Sequence, residues 1–230
     1  MRGKRPLYSR RRRALRWIAA AALLMLVNQW LNLYCLTMSQ ALRRAEKTYG
    51  IGPTEIWTRL DTPQAEDESL RHWLLSWSQD EILLSTVRFD FRTGWSCKPV
   101  TLLREDSAPI SAGFGEYCNE TQAGYETGYL FFGSIRDPSI TEVEVSAYHE
   151  SLSEMGGGIT WIRSPEQQVR VSNTDFVTLG ERRAFLVMLP LVADPGGSTT
   201  FIHTVTGFRS EGESVPVENL SHGIQRQAFS

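Results

Sequence analysis

Thr141-Glu-Val-Glu-Val-Ser-Ala147 puts Val143, Val145 and Ala147 on one side of an extended chain and Glu142, Glu144 and Ser146 on the other. Successive side chains of a strand point to opposite faces, so this is a strand with one buried and one wet face. Just before it, Arg136-Asp-Pro-Ser139 is a turn signal: Asp bonds nearby amides and Pro presets φ. Tyr129-Leu-Phe-Phe-Gly-Ser-Ile135 flanks that turn as a second strand.

Outward from this pair the same texture repeats. Further strands are expected at residues 159–162, 168–171, 183–191 and 201–208, and the continuous apolar run Ala184-Phe-Leu-Val-Met-Leu189 should be central to the core. Residues 205–217 read as a hairpin bent at Ser210-Glu-Gly-Glu213. Towards the N-terminus, residues 82–89 and 95–103 are strands, the second interrupted by Pro99 as at an edge or a bulge. Residues 111–128 are rich in Gly and Tyr and suggest a binding loop at 113–129. Residues 70–77 suggest a short helical or irregular piece, and residues 61–69 an acidic loop. Short strands separated by turn signals make the chain mainly β, with an antiparallel sandwich-like domain over residues 70–230. No repeat of 20–50 residues is visible, so neither a propeller nor a solenoid is expected.

The N-terminal part is different. Trp17-Ile-Ala-Ala-Ala-Ala-Leu-Leu-Met-Leu-Val-Asn-Gln-Trp-Leu-Asn-Leu-Tyr-Cys-Leu-Thr-Met38 contains no charge. About 20 mostly apolar residues suffice to cross a bilayer, so residues 17–38 are expected to form a transmembrane signal anchor. Residues 1–16 carry eight Lys and Arg and no acid. Basic residues beside a membrane segment stay in the cytoplasm, which makes 1–16 a cytoplasmic tail and puts the later chain outside the cell membrane. A cleaved signal peptide is the competing reading, but bulky residues 28–34 do not resemble a cleavage site. Residues 39–69 are then a juxtamembrane stalk and linker, with the membrane helix running on through Ser39 to Tyr49. Cys35 is a small apolar filler at the helix edge.

Beyond residue 16 there are 16 basic against 26 acidic residues, a net of −10. That balance offers no basic patch for nucleic acid. The partners it leaves are the lipid bilayer and an envelope protein. Cys97 and Cys118 fall in the exported part, where a disulfide can persist.

One resemblance emerges from these residues. Gly133-Ser-Ile-Arg-Asp-Pro-Ser-Ile-Thr-Glu-Val-Glu-Val145, the apolar strand at Phe185, and Val205-Thr-Gly-Phe-Arg-Ser-Glu-Gly-Glu-Ser-Val215 together resemble small membrane-anchored exported proteins of spore-forming Gram-positive bacteria. The likeness covers about 85 residues. It implies a β-rich exported domain behind one N-terminal membrane helix, and it carries no assigned activity.

Motifs for chemistry are sparse. His72, His149, His203 and His222 show no metal-ligand spacing with one another or with Cys, so no metal or other cofactor is expected. No G-x-S-x-G occurs, and a Ser with His203 and Asp175 is only a formal triad, so no catalytic residue is assigned. His203, between Ile202 and Thr204, reads as a solvent-facing strand residue. Gly156-Gly-Gly158 lacks the Lys-Ser/Thr of a phosphate loop. Trp57, Trp73, Trp77, Trp95, Trp161, Tyr117, Tyr125 and Tyr129 divide between core and a surface platform for sugar or peptide. The sequence thus points to a membrane-anchored binding protein of the cell envelope. A ligand-sensing or carbohydrate-binding module is the alternative, and an envelope hydrolase the weakest reading.

Overall fold

The computed structural model describes residues 8–31, 34–61, 71–104, 107–121, 124–155, 158–193 and 199–223. Among these described residues two helices come first, α1 (Tyr8–Leu31) and α2 (Met38–Tyr49), and thirteen strands follow. One antiparallel sheet, in the order β1-β2-β3-β4, is made by β1 (Glu55–Asp61), β2 (Arg71–Trp77), β3 (Glu81–Asp90) and β4 (Gly94–Arg104). A second sheet is built from β5 (Ile110–Thr121) and β6 (Gly124–Ile135), with β10 (Val177–Leu179) and β11 (Arg182–Ala193), in the order β10-β11-β6-β5. The third contains the long β7 (Ile140–Met155). Its one edge takes β12 (Thr199–Arg209) and then β13 (Ser214–Pro216), while β8 (Gly158–Arg163) and β9 (Gln167–Ser172) share its other edge.

Three apolar clusters stack these layers. Leu42 of α2 meets Leu74, Leu83 and Val87 on one face of the first sheet. The other face sends Trp73, Leu75, Ile82 and Leu84 against Leu130, Phe132 and Ala184 of the second. That second sheet turns Tyr129, Phe131, Phe185 and Val187 toward Val143, Val145 and Val205 of the third. The middle sheet is therefore covered on both faces. This is why its strands β6 and β11 read as unbroken apolar runs, whereas β7 alternates. The wet face of β7 holds Glu142 and Glu144 in ion pairs with Arg170 of β9.

Several expectations are corrected. The uncharged stretch is not one helix continuing into a stalk. Helix α1 stops at Leu31, and α2 starts afresh at Met38, with the Thr37 hydroxyl accepting from Gln40 N at 3.2 Å. Gln40 Oε1 in turn accepts from Leu36 N at 2.9 Å, so the new helix has a reciprocal N-terminal cap. Cys35 forms a β-bridge with Gly94 and is buried in the body, outside any helix. Helix α2 is an amphipathic element that buries Ala41, Leu42 and Ala45, and its buried Glu46 accepts from Thr54 N at 2.8 Å. Residues 39–69 thus contain α2 and β1, parts of the folded body.

The uncharged part of α1, from Trp17 to Leu31, is about 22 Å long at 1.5 Å per residue, against about 30 Å of hydrocarbon. Among the described residues no helix is long and apolar enough to cross a membrane.

Residues 71–77 are strand, not helix. Trp73 and Leu75 face one neighbour and Leu74 the other, a period of two that a helix would not satisfy. The Gly- and Tyr-rich segment is no loop but the paired strands β5 and β6. At Gly115 a Cβ would lie 3.1 Å from the Trp73 ring and run into Leu84, so the missing side chain serves close packing of two sheets. Pro99 does sit at a bulge: Leu84 pairs with Thr101 and Ser85 with Pro99, leaving Val100 extra. The acidic residues 62–69 and Gly156-Gly157 lie outside the described residues.

Of the two cysteines that a disulfide could join, Cys97 carries a free thiol. It points to the α2 side of the first sheet, packed beside Leu42, Leu83 and Val87. The side chain of Cys118 lies outside the described ones. Burial pushes the Cys97 thiol up to about 11, opposed by a hydrogen bond from Ser85 and assisted by the charge of Glu46. Since the thiolate is the nucleophile, Cys97 should resist iodoacetamide at neutral pH in the native protein and react once urea unfolds it. Equal rates of modification in the two states would contradict this packing.

Candidate functional site

The densest gathering of functional side chains lies between the second and third sheets. Alternation along β5 and β6 turns Phe114, Tyr129 and Phe131 inward, and Phe201 and His203 of β12 face them with His149 of β7. His149 pairs with Phe201 and Ala147 with His203, so both histidines share the parity that buries Val143, Val145 and Val205. His203 sits 4.4 Å from the Phe114 ring and 4.9 Å from Tyr129, which approaches edge-on. His149 is fully buried; its amide donates to Ser164 Oγ at 2.9 Å, and its carbonyl accepts from Ser164 N at 2.9 Å.

A third imidazole arrives from the C-terminal strap. Ser221 N donates to Ala112 O at 2.9 Å and Phe114 N to Ser221 O at 3.1 Å, fastening the strap along β5. This holds His222 flat on Phe114, 4.5 Å away with planes 11° apart. An open groove runs beside it, lined by Leu102 and Arg104 of β4 and by residues 220–223.

His203 departs from the solvent-facing position expected for it. It is half-buried, and its Nε2 is buried with no hydrogen-bond partner among the described residues. Burial, then the neighbouring His222 and His149, pulls its pKa down to about 4 from an ordinary 6.5. At neutral pH it is an uncharged, largely apolar ring among aromatics. The unfolded chain takes up a proton at His203 before the folded one does. The contribution of His203 to stability is therefore complete above pH 6.5 and is lost as pH falls toward about 4. A His203→Gln variant should show a flatter midpoint-against-pH curve across that window. Identical slopes for variant and parent would refute the assignment.

The other candidate residues are not brought together. Asp175 of the short 3-10 turn Asn173–Asp175 accepts from Ser172 N at 3.1 Å and Ser172 Oγ at 2.8 Å, an end-cap and not a partner for His203. Among the described residues the buried His203 Nε2 meets no carboxylate that would orient the ring as a general base. Among the described residues no group of three His, Cys, Asp or Glu could hold a metal ion. Trp73 and Tyr129 are core; Trp57 and Trp77 pack at its margin, and Trp161 is 60 % exposed. The side chains of Tyr117 and Tyr125 lie outside the described ones.

The Arg136–Ser139 turn and the Arg209–Glu213 turn meet in space. Asp137 accepts from Ser139 Oγ at 2.7 Å, from Ser139 N at 2.9 Å and from Arg209 Nε at 3.1 Å, and Arg209 also pairs with Glu213. The Ser139 hydroxyl and amide, then Arg209, hold the Asp137 carboxyl below the usual carboxylate range. Arg183 adds bonds to the carbonyls of Asp137 at 2.6 Å and Ile140 at 3.0 Å. This network ties two turns and β11 together and is structural. Compared with known families, curated proteins and solved structures, the chain matches none of them.

Proposed function

We propose that the protein is a single-pass envelope protein, its N-terminus in the cytoplasm and its β body outside, that works by binding an envelope protein partner. The observation that carries this reading is the state of α1. Leu23, Leu24, Met25 and Leu26 are each more than 60 % exposed, and four consecutive residues cover most of a helix circumference. A helix that is apolar all round belongs in a protein core or in lipid, and the three apolar clusters of the body form without any residue of α1. Arg10 to Arg13 and Arg16 crowd the N-terminal end, where the positive-inside tendency keeps them in the cytoplasm.

The helix is somewhat short, but bilayers thin locally and flanking Arg side chains reach back to the headgroups. The resemblance of segments 133–145 and 205–215 to membrane-anchored exported proteins points the same way. Crosslinking in intact cells, followed by isolation of the full chain from membranes, tests the binding role. A specific, saturable protein partner is expected. Turnover of a substrate that one point substitution abolishes would replace this reading with an enzymatic one.

A further inference from the structure

The β3–β4 hairpin carries an apolar side chain with no place in the core. Phe91, at its tip, is 91 % exposed. Behind it stands Phe89, edge-on to Phe91 at 5.4 Å and tilted against Trp95 at 5.3 Å, a short run of aromatic contacts that leads to the tip. Residues 88–98 contain Arg88, Arg92 and Lys98, all exposed, against a single acid. That acid, Asp90, is committed to the turn: its Oδ1 accepts from Arg92 N at 2.6 Å and Thr93 N at 3.3 Å. Those bonds hold its carboxyl below the usual range, so it stays ionised while shaping the loop.

The position of this tip relative to α1 is constrained. Asn28, in the last turn of α1, donates to Tyr34 O at 2.8 Å. The next residue, Cys35, bridges to Gly94, and Trp95 N donates to Cys35 O at 2.8 Å. Gly94 has φ +75, and a Cβ there would collide with Cys35 O and lie 2.8 Å from the Tyr34 ring. From Leu31 to Cys35 is four residues, a reach of at most about 14 Å. The hairpin is therefore fastened to the chain just where it leaves α1, and Phe91 lies three residues from the fastening point.

We propose that this hairpin tip is a second membrane contact: Phe91 enters the headgroup layer while Arg88, Arg92 and Lys98 meet anionic lipid phosphates. The inference rests on α1 being inserted. With α1 in the bilayer, the short link leaves the tip within reach of the interface, where amphipathic aromatics and basic side chains gather. Each basic residue at an anionic surface strengthens partitioning by about fivefold. The tip would thus fix how the β body stands on the membrane and which face it turns to a partner.

The full chain, reconstituted into phosphatidylcholine vesicles containing photoreactive phosphatidylglycerol, tests this. The vesicles are floated, irradiated and mapped by mass spectrometry. Flotation with lipid adducts at residues 89–95 is expected. In a Phe91→Ser, Arg92→Ser variant those adducts should fall about fivefold or more, with flotation retained. Flotation with adducts confined to α1, or hairpin adducts unchanged in the variant, would overturn the inference and leave the anchor standing. Crosslinks joining two hairpin tips would overturn it in favour of self-association. Failure of the unmodified chain to float would overturn the anchor itself, and the inference with it.

Discussion

Replacing Leu23 and Leu26 with arginine should move the protein from the membrane fraction to the soluble fraction. Each arginine at the centre of a membrane helix costs about 2.5–3.5 kcal/mol on insertion scales, and two lie far beyond what snorkelling from mid-helix recovers. The combined penalty of about 5–7 kcal/mol corresponds to more than a thousandfold loss of partitioning. Both leucines are over 60 % exposed in the structure, so the body does not depend on them. Its thermal midpoint should hardly change, since exposed substitutions usually shift stability by less than about 0.5 kcal/mol. Fractionation in alkaline carbonate reads the result. A doubly substituted protein that still sediments with membranes would show that contacts of the β body, not α1, retain it.

The second large effect is expected in the aromatic layer. Phe131 is fully buried, 5.6 Å from the stacked Phe114 ring and 5.7 Å from His203. Its replacement by alanine should cost about 3–5 kcal/mol, the transfer term plus the void left between two sheets. Domains of this kind are held by about 5–15 kcal/mol in all, so the loss should be visible as a large drop in the urea midpoint. Leucine at the same position retains most of the volume and should cost less. The alanine variant should also let water approach His203, weakening the desolvation that lowers its pKa. The dependence of stability on pH between 6.5 and about 4 should shrink accordingly. An undiminished pH slope with full loss of stability would separate Phe131 from the environment of His203.

These two substitutions probe separate parts of the chain, and they differ in how far the sequence announced them. The proposed anchor rests on local composition: eight basic residues before residue 17, and no charge from residue 17 to 38. The aromatic layer is not local at all. Phe114, Phe131, Phe201 and His222 come from two sheets and a terminal strap, and nothing in their spacing says that they meet.

The histidines show why a partial pattern misleads. His203 looked solvent-facing because Ile202 and Thr204 flank it, but neighbours in a strand point the other way. Its partners in parity are Phe201 and Val205, two residues off on either side, and these are inward. Continuing the alternation of Val143, Val145 and Ala147 by one step would have put His149 in the core as well. The signal was present and needed only the correct period.

Glycine misled for another reason. A run of Gly and Tyr reads as a loop because Gly lacks a side chain to pack. In β5 that absence is itself the packing device, admitting Trp73 and Leu84 of the facing sheet. Only the facing residue reveals the difference.

By itself the amino-acid sequence determined the mainly antiparallel β class, most strand positions from residue 82 onward, the Asp137-Pro138 turn and an irregularity in the strand at Pro99. Each of these follows from local preference: alternation, fixed φ, or a missing amide donor. The tertiary structure alone decided that three sheets stack in layers with α2 over the first, that Cys35 leaves the apolar stretch to bridge Gly94, and that three histidines converge on one aromatic layer. Such facts depend on which faces meet across the chain, and a one-dimensional pattern encodes the face a residue takes but not what it is pressed against.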